Sequence, residues 1–452
     1  MRAADAAYPI GRAAPRESYL NAARIIEVAK RSGCDAIHPG YGFLSENADF
    51  AQAVADAGLV FVGPPAKVQR LLGEKTAARR LAREVDVPVA EGTEPLRDAA
   101  AARTAAKKIG YPLLLKPAGG GGGKGMRIVG RDEDFEAAWR GATGEATAAF
   151  GAPALYLERQ ITKARHVEMQ ILADGHGKVV WLGERDCSIQ RRHQKLIEES
   201  PGPGVTEELR TKLGAAAVRI AKRAGYVNAG TVEFLVETNG EFNFLEVNTR
   251  LQVEHPVTEM VTSVDLVALQ LRIAAGEPLP FAQDQIRRSG AAIECRITAE
   301  DPFAGFVPAS GVVALVREPG GPGIRVDSAL FSGMTMPSEY DSLLAKVIAH
   351  GRDREEALGR MRRALAEMRV AGIPTSLPFH RAALVDPEFV AGRYDTDFVA
   401  RWDPKTAPDL TEEAFAAGAL AAVLAMRSRG QRRASPIADP AWARAGREDA
   451  LR

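Results

Sequence analysis

Glu233, Glu246 and Asn248 are residues whose types and spacing could hold a cation. They lie in the stretch TVEFLVETNGEFNFLEVNTRLQVEHPVTE (231–259), where apolar Val232, Phe234 and Val236, and then Leu245 and Val247, alternate with other residues. Such period-2 patterning on both sides of Asn239-Gly240 predicts a β-hairpin closed by a tight turn. A two-residue type I′ turn there sets Glu233 directly opposite Glu246, with Cβ atoms about 5 Å apart. Two carboxylates at that distance repel by about 3 kcal/mol at an effective dielectric near 20, and a divalent cation between them reverses the sign. Asn248 shares the face and adds a neutral oxygen. A small set of hard oxygen ligands suits Mg²⁺ or Mn²⁺ bridged to phosphates. Arg250, Gln252 and Glu254 continue the alternation, supplying a cation clamp, an amide and a candidate base. A solvated hairpin face would explain one glutamate pair; it explains the whole run poorly.

Three further stretches carry chemistry. Lys116 ends a strand that runs into Pro117-Ala118, five glycines, Lys124 and Gly125. Glycines leave backbone N–H groups bare, so this loop is expected to close over phosphates as a mobile lid rather than serve as a linker. It is neither a Walker A loop, since Gly125 follows Lys124, nor a Rossmann fingerprint. Between Glu184 and Lys195, Arg185, Arg191, Arg192, His193 and Lys195 concentrate positive charge. No aromatics are interleaved to stack bases, so a small phosphorylated ligand fits better than nucleic acid, with an exposed basic loop as the plain alternative. Arg296 stands in an apolar strand, Ile293 to Ile297, and needs either a structural carboxylate or an anionic substrate.

The elements that must position these residues read as α/β. A helix carrying Ile25, Ile26 and Val28, a strand at Asp35 to Ile37, the turn HPGYG (38–42), a second helix and a strand at Leu59 to Val62 form part of a doubly wound unit. One helix from Lys67 towards Ala90 carries Lys75. Strands follow at Tyr111 to Lys116, Arg127 to Val129, Ala154 to Glu158, Arg165 to Ile171 and Val179 to Leu182. Leu358, Met361, Leu365 and Met368 mark a packed amphipathic helix. At 452 residues, with 46% hydrophobic and 26% charged side chains, a soluble globular chain of several domains is expected. Lys+Arg (59) and Asp+Glu (58) nearly cancel, so no global field favours nucleic acid or membrane. Cys34, Cys187 and Cys295 are scattered, and the apolar run 414–426 is too short to span a bilayer. No signal peptide is legible, and a cytoplasmic location is expected.

HPGYGFLSEN (38–47), KPAGGGGGKGM (116–126), RHVEMQ (165–170), ERDCSIQRRHQK (184–195), FLEVNTRLQVEHPVTE (244–259) and ECRI (294–297) together resemble biotin carboxylase, the ATP-grasp component of acyl-CoA carboxylases. The resemblance covers roughly residues 5 to 400. It implies a truncated Rossmann-like N-terminal domain (1–66), linker helices (67–90), a glycine-rich ATP-grasp lid (91–161), an ATP-grasp large domain (162–285), a biotin carboxylase C-terminal domain (286–400) and a helical, Arg-rich tail (401–452). By the same resemblance ATP is held by Lys75, Lys116, Gly122, Gly123, Lys124, Glu158, His166, His193, Glu233 and Glu246. Glu233, Glu246 and Asn248 bind Mg²⁺ or Mn²⁺. Lys195, Arg250, Gln252 and Val253 seat bicarbonate, with Glu254 as its base. Arg250, Glu254, Lys195 and Arg296 are the implied catalytic set, and Arg296 and Tyr41 meet biotin. The implied reaction passes through carboxyphosphate to carboxylated biotin.

Two departures from the family pattern stand out. The family's leading strand, turn and helix have no counterpart before Ala4-Asp5, so a βαβ-sized piece is expected to be missing. No Met-Lys-Met attachment site occurs, so biotin is expected on a carrier protein or domain. The implied partners are that carrier, a carboxyltransferase subunit and a second copy in a homodimer, with neither nucleic acid nor membrane. An amide- or carbamoyl-phosphate-forming ATP-grasp ligase, or a non-catalytic ATP-binding subunit, are the competing readings.

Overall fold

The computed structural model of the chain describes residues 4–118, 126–150 and 154–404. Gly122, Gly123 and Lys124, and all but the first residues of the Arg-rich tail, lie outside the described residues. Near the start, β1 (Ala36–Ile37) and β2 (Val60–Phe61) pair in parallel. Helices α1 (Ala22–Arg31) and α2 (Ala48–Asp56) both open on asparagine caps: Asn21 accepts from the Arg24 N–H and Asn47 from that of Phe50. The stretch expected as one helix from Lys67 is two, α3 (Ala66–Gly73) and α4 (Lys75–Glu84). Gly73 is a weak helix former and Glu74 is extended, so the chain turns and two separate apolar stripes, through Val68 and Leu72 and through Ala78 and Leu81, are buried. Lys75 thereby heads α4.

A small antiparallel sheet follows. Its central strand β3 (Leu113–Pro117) pairs with β4 (Arg127–Val129) and β5 (Leu155–Arg159). Helices α5 (Ala99–Ile109) and α6 (Phe135–Phe150) cover one face over Leu113, Leu115, Leu155 and Leu157. The pleat turns Lys116 and Glu158 to the other.

Most of the remaining chain is one eight-stranded sheet. Its strands are β6 (Arg165–Ala173), β7 (Val179–Arg191), β8 (Gln194–Ser200), β9 (Asn228–Val236), β10 (Phe242–Asn248) and β11 (Ala291–Thr298). After the short strands β12 (Glu300–Asp301), β13 (Val307–Pro308) and β14 (Leu315–Arg317), β15 (Ile324–Ser328) and β16 (Leu343–Gly351) complete it. The spatial order is β10-β9-β6-β7-β8-β11-β16-β15, with neighbours antiparallel. The basic stretch 184–195 is thus not an exposed loop. It is the end of β7, a turn with positive φ at Arg192 and His193, and the start of β8, and Arg185 within it is fully buried.

Helix α7 (Glu207–Ala224) packs with α3 and α4 over Val167, Met169, Val232 and Phe234. Thr206 caps it, and Gly214 lets it approach β7 closely: a Cβ there would stand 2.5 Å from the Trp181 ring. Helices α8 (His255–Thr262) and α9 (Leu266–Ala274) cover apolar parts of other sheet surfaces. Helices α10 (Arg354–Glu367) and α11 (Leu377–Ala383) pack over Ile293, Cys295 and Ile297.

The β9–β10 hairpin corrects the expected turn but keeps its consequence. Thr238, Asn239 and Gly240 form a three-residue loop closed by the Glu237 N–H donating to Glu241 O at 2.8 Å, with Gly240 at φ +85°. Phe242 therefore pairs with Val236 and Phe244 with Phe234, one residue off the register of a two-residue turn. A bulge at Leu245 then shifts the register back, and Glu246 lies opposite Glu233.

Candidate active site

The Glu233–Glu246 pair opens onto a cavity of about 1630 Å³. Glu233 accepts from Lys195 Nζ at 2.8 Å and from Asn248 Nδ2 at 2.7 Å, and His166 Nε2 lies 2.8 Å from its second oxygen. Burial by itself would favour the neutral acid, but Lys195 and His166 hold Glu233 well below the usual carboxylate range. Glu246 makes no hydrogen bond among the described residues, and burial followed by the charge of Glu233 pushes it up. Two facing carboxylates and an amide, one of them raised by the other's charge, fit a divalent cation by donor chemistry.

Lys195 ties this pair to the rest. Its ammonium also donates to Glu168, and to Glu254 at 2.6 Å. Burial opposes its charge, yet the three carboxylates raise it well above the ordinary lysine value. Glu254, fully buried ahead of α8, takes Arg296 on its second oxygen at 2.8 Å. Despite burial, Lys195 and Arg296 hold Glu254 well below its usual range. Arg296 also donates to Glu198 at 2.5 Å, and its backbone carbonyl accepts from Ser376 Oγ at 3.0 Å with His380 Nε2 at 2.6 Å. The partner that an arginine in this strand required is therefore structural, while the same guanidinium lines the cavity.

Arg250 sits at the other side. Glu46, from the segment before β2, accepts from Arg250 Nε at 3.0 Å and from the Thr249 N–H at 2.9 Å. Gln252 Oε1 accepts from Arg250 at 3.0 Å. Lys346, opposite Arg296 on β16, donates to Val253 O at 2.8 Å, and its ammonium lies 5.9 Å from the centre of the Tyr41 ring. Lys116 donates to Glu158 at 2.5 Å, and Glu158 also bonds Arg79. Burial and then Lys116 lower the His193 pKa, so this histidine is a neutral ring beside cations.

Lys75, Lys116, His166, His193, Lys195, Glu233, Glu246, Asn248, Arg250, Gln252, Val253, Arg296 and Tyr41 all line the one cavity. Glu158 and Glu254 stand just behind it, each bonded to a lining residue. Glu46, Glu168, Glu198 and Lys346 were not singled out from sequence, and Arg185 was noted only as one charge of the basic stretch. Two of these four lie inside stretches already noted, Glu46 in HPGYGFLSEN and Glu168 in RHVEMQ, and for Glu168 alternation with apolar Val167 and Met169 was the available signal. Arg185 bonds Glu168, Gln170, Thr231 and Thr258 from within the sheet.

A small antiparallel sheet bearing Lys116 and Glu158, a larger sheet with a facing glutamate pair, and a buried lysine–glutamate–arginine chain go with an ATP-grasp carboxylase. Residues 1–69 match the family described as biotin carboxylase, N-terminal domain, and residues 294–401 its C-terminal domain. Between them, 74–282 match the carbamoyl-phosphate synthase L chain, ATP binding domain. The chain is 49% identical over 400 residues to a biotin carboxylase of Nostoc, covering 88% of this chain and 90% of the relative. It is 50% identical over 391 residues to that of Haemophilus influenzae, covering 86% and 87%. Among solved structures, the biotin carboxylase domain dimer of Hydrogenobacter thermophilus 2-oxoglutarate carboxylase, in complex with MgADP, ADP and bicarbonate, matches with a TM-score of 0.88 and 44% identity, covering 91% and 90%. The chain belongs to the biotin carboxylase family, and it is an ATP-dependent ligase. The carbamoyl-phosphate match is confined to the ATP-binding segment, with biotin carboxylase matches on both sides, and nothing supports the non-catalytic reading. Among the described residues, no helix is long and apolar enough to cross a membrane.

Proposed function

We propose that the cavity carries out ATP- and bicarbonate-dependent carboxylation of biotin presented by a carrier, with labour divided between its two arginines. The observation that carries this reading is the unbroken chain from Glu233 through Lys195 and Glu254 to Arg296. Lys75, Lys116 and the neutral His193 line the side that would take ATP, with Gly122, Gly123 and Lys124 assigned to the phosphates, and Glu158 fixing Lys116. His166 holds Glu233 on the same side. A Mg²⁺ or Mn²⁺ ion on Glu233, Glu246 and Asn248 would neutralise phosphate charge. Arg250, Lys195, Gln252 and the Val253 backbone would hold bicarbonate. Glu254, kept ionised by two cations, accepts its proton.

The deprotonated bicarbonate oxygen then bonds to the γ-phosphorus as the bond to ADP breaks, giving carboxyphosphate. Its breakdown releases CO₂ and a phosphate able to take the biotin N1′ proton. Arg296 meets the negative charge that develops on the ureido oxygen, beside Tyr41.

The domain division at 66, 90, 161, 285 and 400 is proposed on the same footing, as are the carrier, the carboxyltransferase and a homodimer. The test is paired: bicarbonate-dependent ADP release and carboxybiotin formation, with and without free biotin. Arg250→Ala is expected to lose both by ~10²–10³-fold, the size seen for loss of one oxyanion-type donor. Arg296→Ala is expected to lose carboxybiotin by far more than bicarbonate-dependent ATP cleavage, because its contact with the ureido oxygen is made only late, while Glu254 loses one of its two cations and keeps Lys195. Equal losses in both variants would refute the division.

A further inference from the structure

Glu294 has no part in these steps, and its surroundings are unusual for a carboxyl group. It is fully buried on β11, and neither oxygen meets a donor among the described residues. Directly opposite on β8, Glu198 is also fully buried. One of its oxygens accepts from Arg296, and the other, Oε2, has no partner. Residues paired this way hold their Cβ atoms roughly 5 Å apart, so the two carboxyl ends are within reach of each other. An ionised carboxylate can only accept, and burying one without a donor costs enough that it takes up a proton instead. A protonated Glu294 becomes a donor, and Glu198 Oε2 is the unfilled acceptor facing it.

The neighbouring charges are engaged elsewhere. Arg296 is held by Glu198 and Glu254. On β16, Ile348 stands opposite Glu294, and Lys346 reaches Val253 O and, at 3.2 Å, Asp327 of β15. Helix α8 covers this part of the sheet with Val257 and Val261. Its His255 lies 2.8 Å from Gln252 O, and its Glu259 bonds Arg325 at 2.6 Å. Arg185 on β7 and Lys195 on β8 bond Glu168, and Lys195 also Glu233 and Glu254. Burial drives Glu294 well above the carboxylate range. It also drives Glu198 to about 7, with Arg296 pulling down and Glu254 pushing up.

We propose that Glu294 holds a proton shared with Glu198, and that the pair is a positioning device for Arg296. With the proton, the pair shows the guanidinium one negative charge; without it, two. The second charge would leave Arg296 less free to answer charge on the ureido oxygen. Only this functional half rests on assigning Arg296 to the biotin step; the proton itself does not. Above the ordinary carboxylate range the unfolded chain carries Glu294 ionised while the folded chain keeps it protonated. Folding then takes up a proton, and stability falls as pH rises from that range to the folded value.

The experiment compares the full-length enzyme with Glu294→Gln, which supplies a neutral donor of similar size. Infrared spectra at neutral pH should show the carbonyl band of a protonated carboxylic acid, absent in the variant. The melting temperature should fall with rising pH more steeply in the unmodified enzyme. Carboxybiotin formation should fall on the alkaline side in the unmodified enzyme, and the variant should exceed it about tenfold one pH unit beyond that midpoint. Bicarbonate-dependent ATP cleavage should show no such difference. No protonated-acid band at neutral pH, or a band and a pH slope that Glu294→Gln leaves unchanged, overturns the shared proton. An unchanged pH profile for carboxybiotin formation overturns the positioning role. Should Glu294→Gln fail to fold, loss of the band on alkaline titration of the unmodified enzyme decides the first point.

Discussion

Glu168 and Glu233 face each other across neighbouring strands and share Lys195, whereas two other facing glutamate pairs of the same sheet are treated oppositely by their surroundings. Glu233 and Glu246, on β9 and β10, open onto the cavity, where Lys195, His166 and Asn248 surround one member and leave the other raised. Glu198 and Glu294, on β8 and β11, are sealed, with three of their four carboxyl oxygens unpartnered. The strand register makes the like-charge problem in both places. On the readings proposed above, access decides the remedy: a cation where ligands can enter, a proton where they cannot. The comparison also explains why a pair of acids alone says little about metal binding.

The sharpest way to break it is Glu246→Gln, which removes one ligand charge but little volume. Bicarbonate-dependent ATP cleavage should fall by ~10²–10³-fold, and the Mg²⁺ concentration for half activity should rise. Unchanged metal dependence there would remove the cation from the first pair. A smaller effect is expected from Glu198→Gln. It takes away one charged hydrogen bond to Arg296, worth about 1.5–3 kcal/mol, or roughly ten- to a hundredfold in carboxybiotin formation. Bicarbonate-dependent ATP cleavage should remain, and parallel phosphate and carboxybiotin assays separate the two. If metal dependence shifts in Glu198→Gln as it does in Glu246→Gln, the two pairs are not distinct. The smallest change lies away from both. Gly214→Ala should cost about 1–3 kcal/mol of stability, read from the denaturant midpoint, because α7 would have to move off Trp181. Kinetic constants should hold.

Much of the site was legible in the sequence because short motifs keep their chemistry on one face of a strand. The hairpin is the instructive case. Glu233 does oppose Glu246, but the loop has one residue more than expected and the Leu245 bulge takes up the difference. Two offsetting irregularities left the consequence standing, since alternation reports which face a residue takes and says little of where a strand slips. Arg296 announced its need for a partner, yet spacing could not choose among distant carboxylates, and Glu198 belongs to a strand whose Glu-Glu-Ser run shows no alternation. The α3–α4 break was hidden because periodicity continues across Gly73-Glu74 while the backbone does not.

The pairing of β8 with β11 has a consequence for how this chain can be divided. The sequence segments matched by different families, ending at 282 and beginning at 294, meet as adjacent strands of a single sheet, and Glu198, Glu294 and Arg296 sit on that seam. Cutting the chain between them would give each fragment a bare edge strand, an invitation to pair with the wrong neighbour. It would also leave Arg296 on one piece and Glu198 and Glu254 on the other. Exchange between relatives of the part before 282 or the part after 294 therefore has to preserve a matched seam, acid for base, before any activity can be inherited.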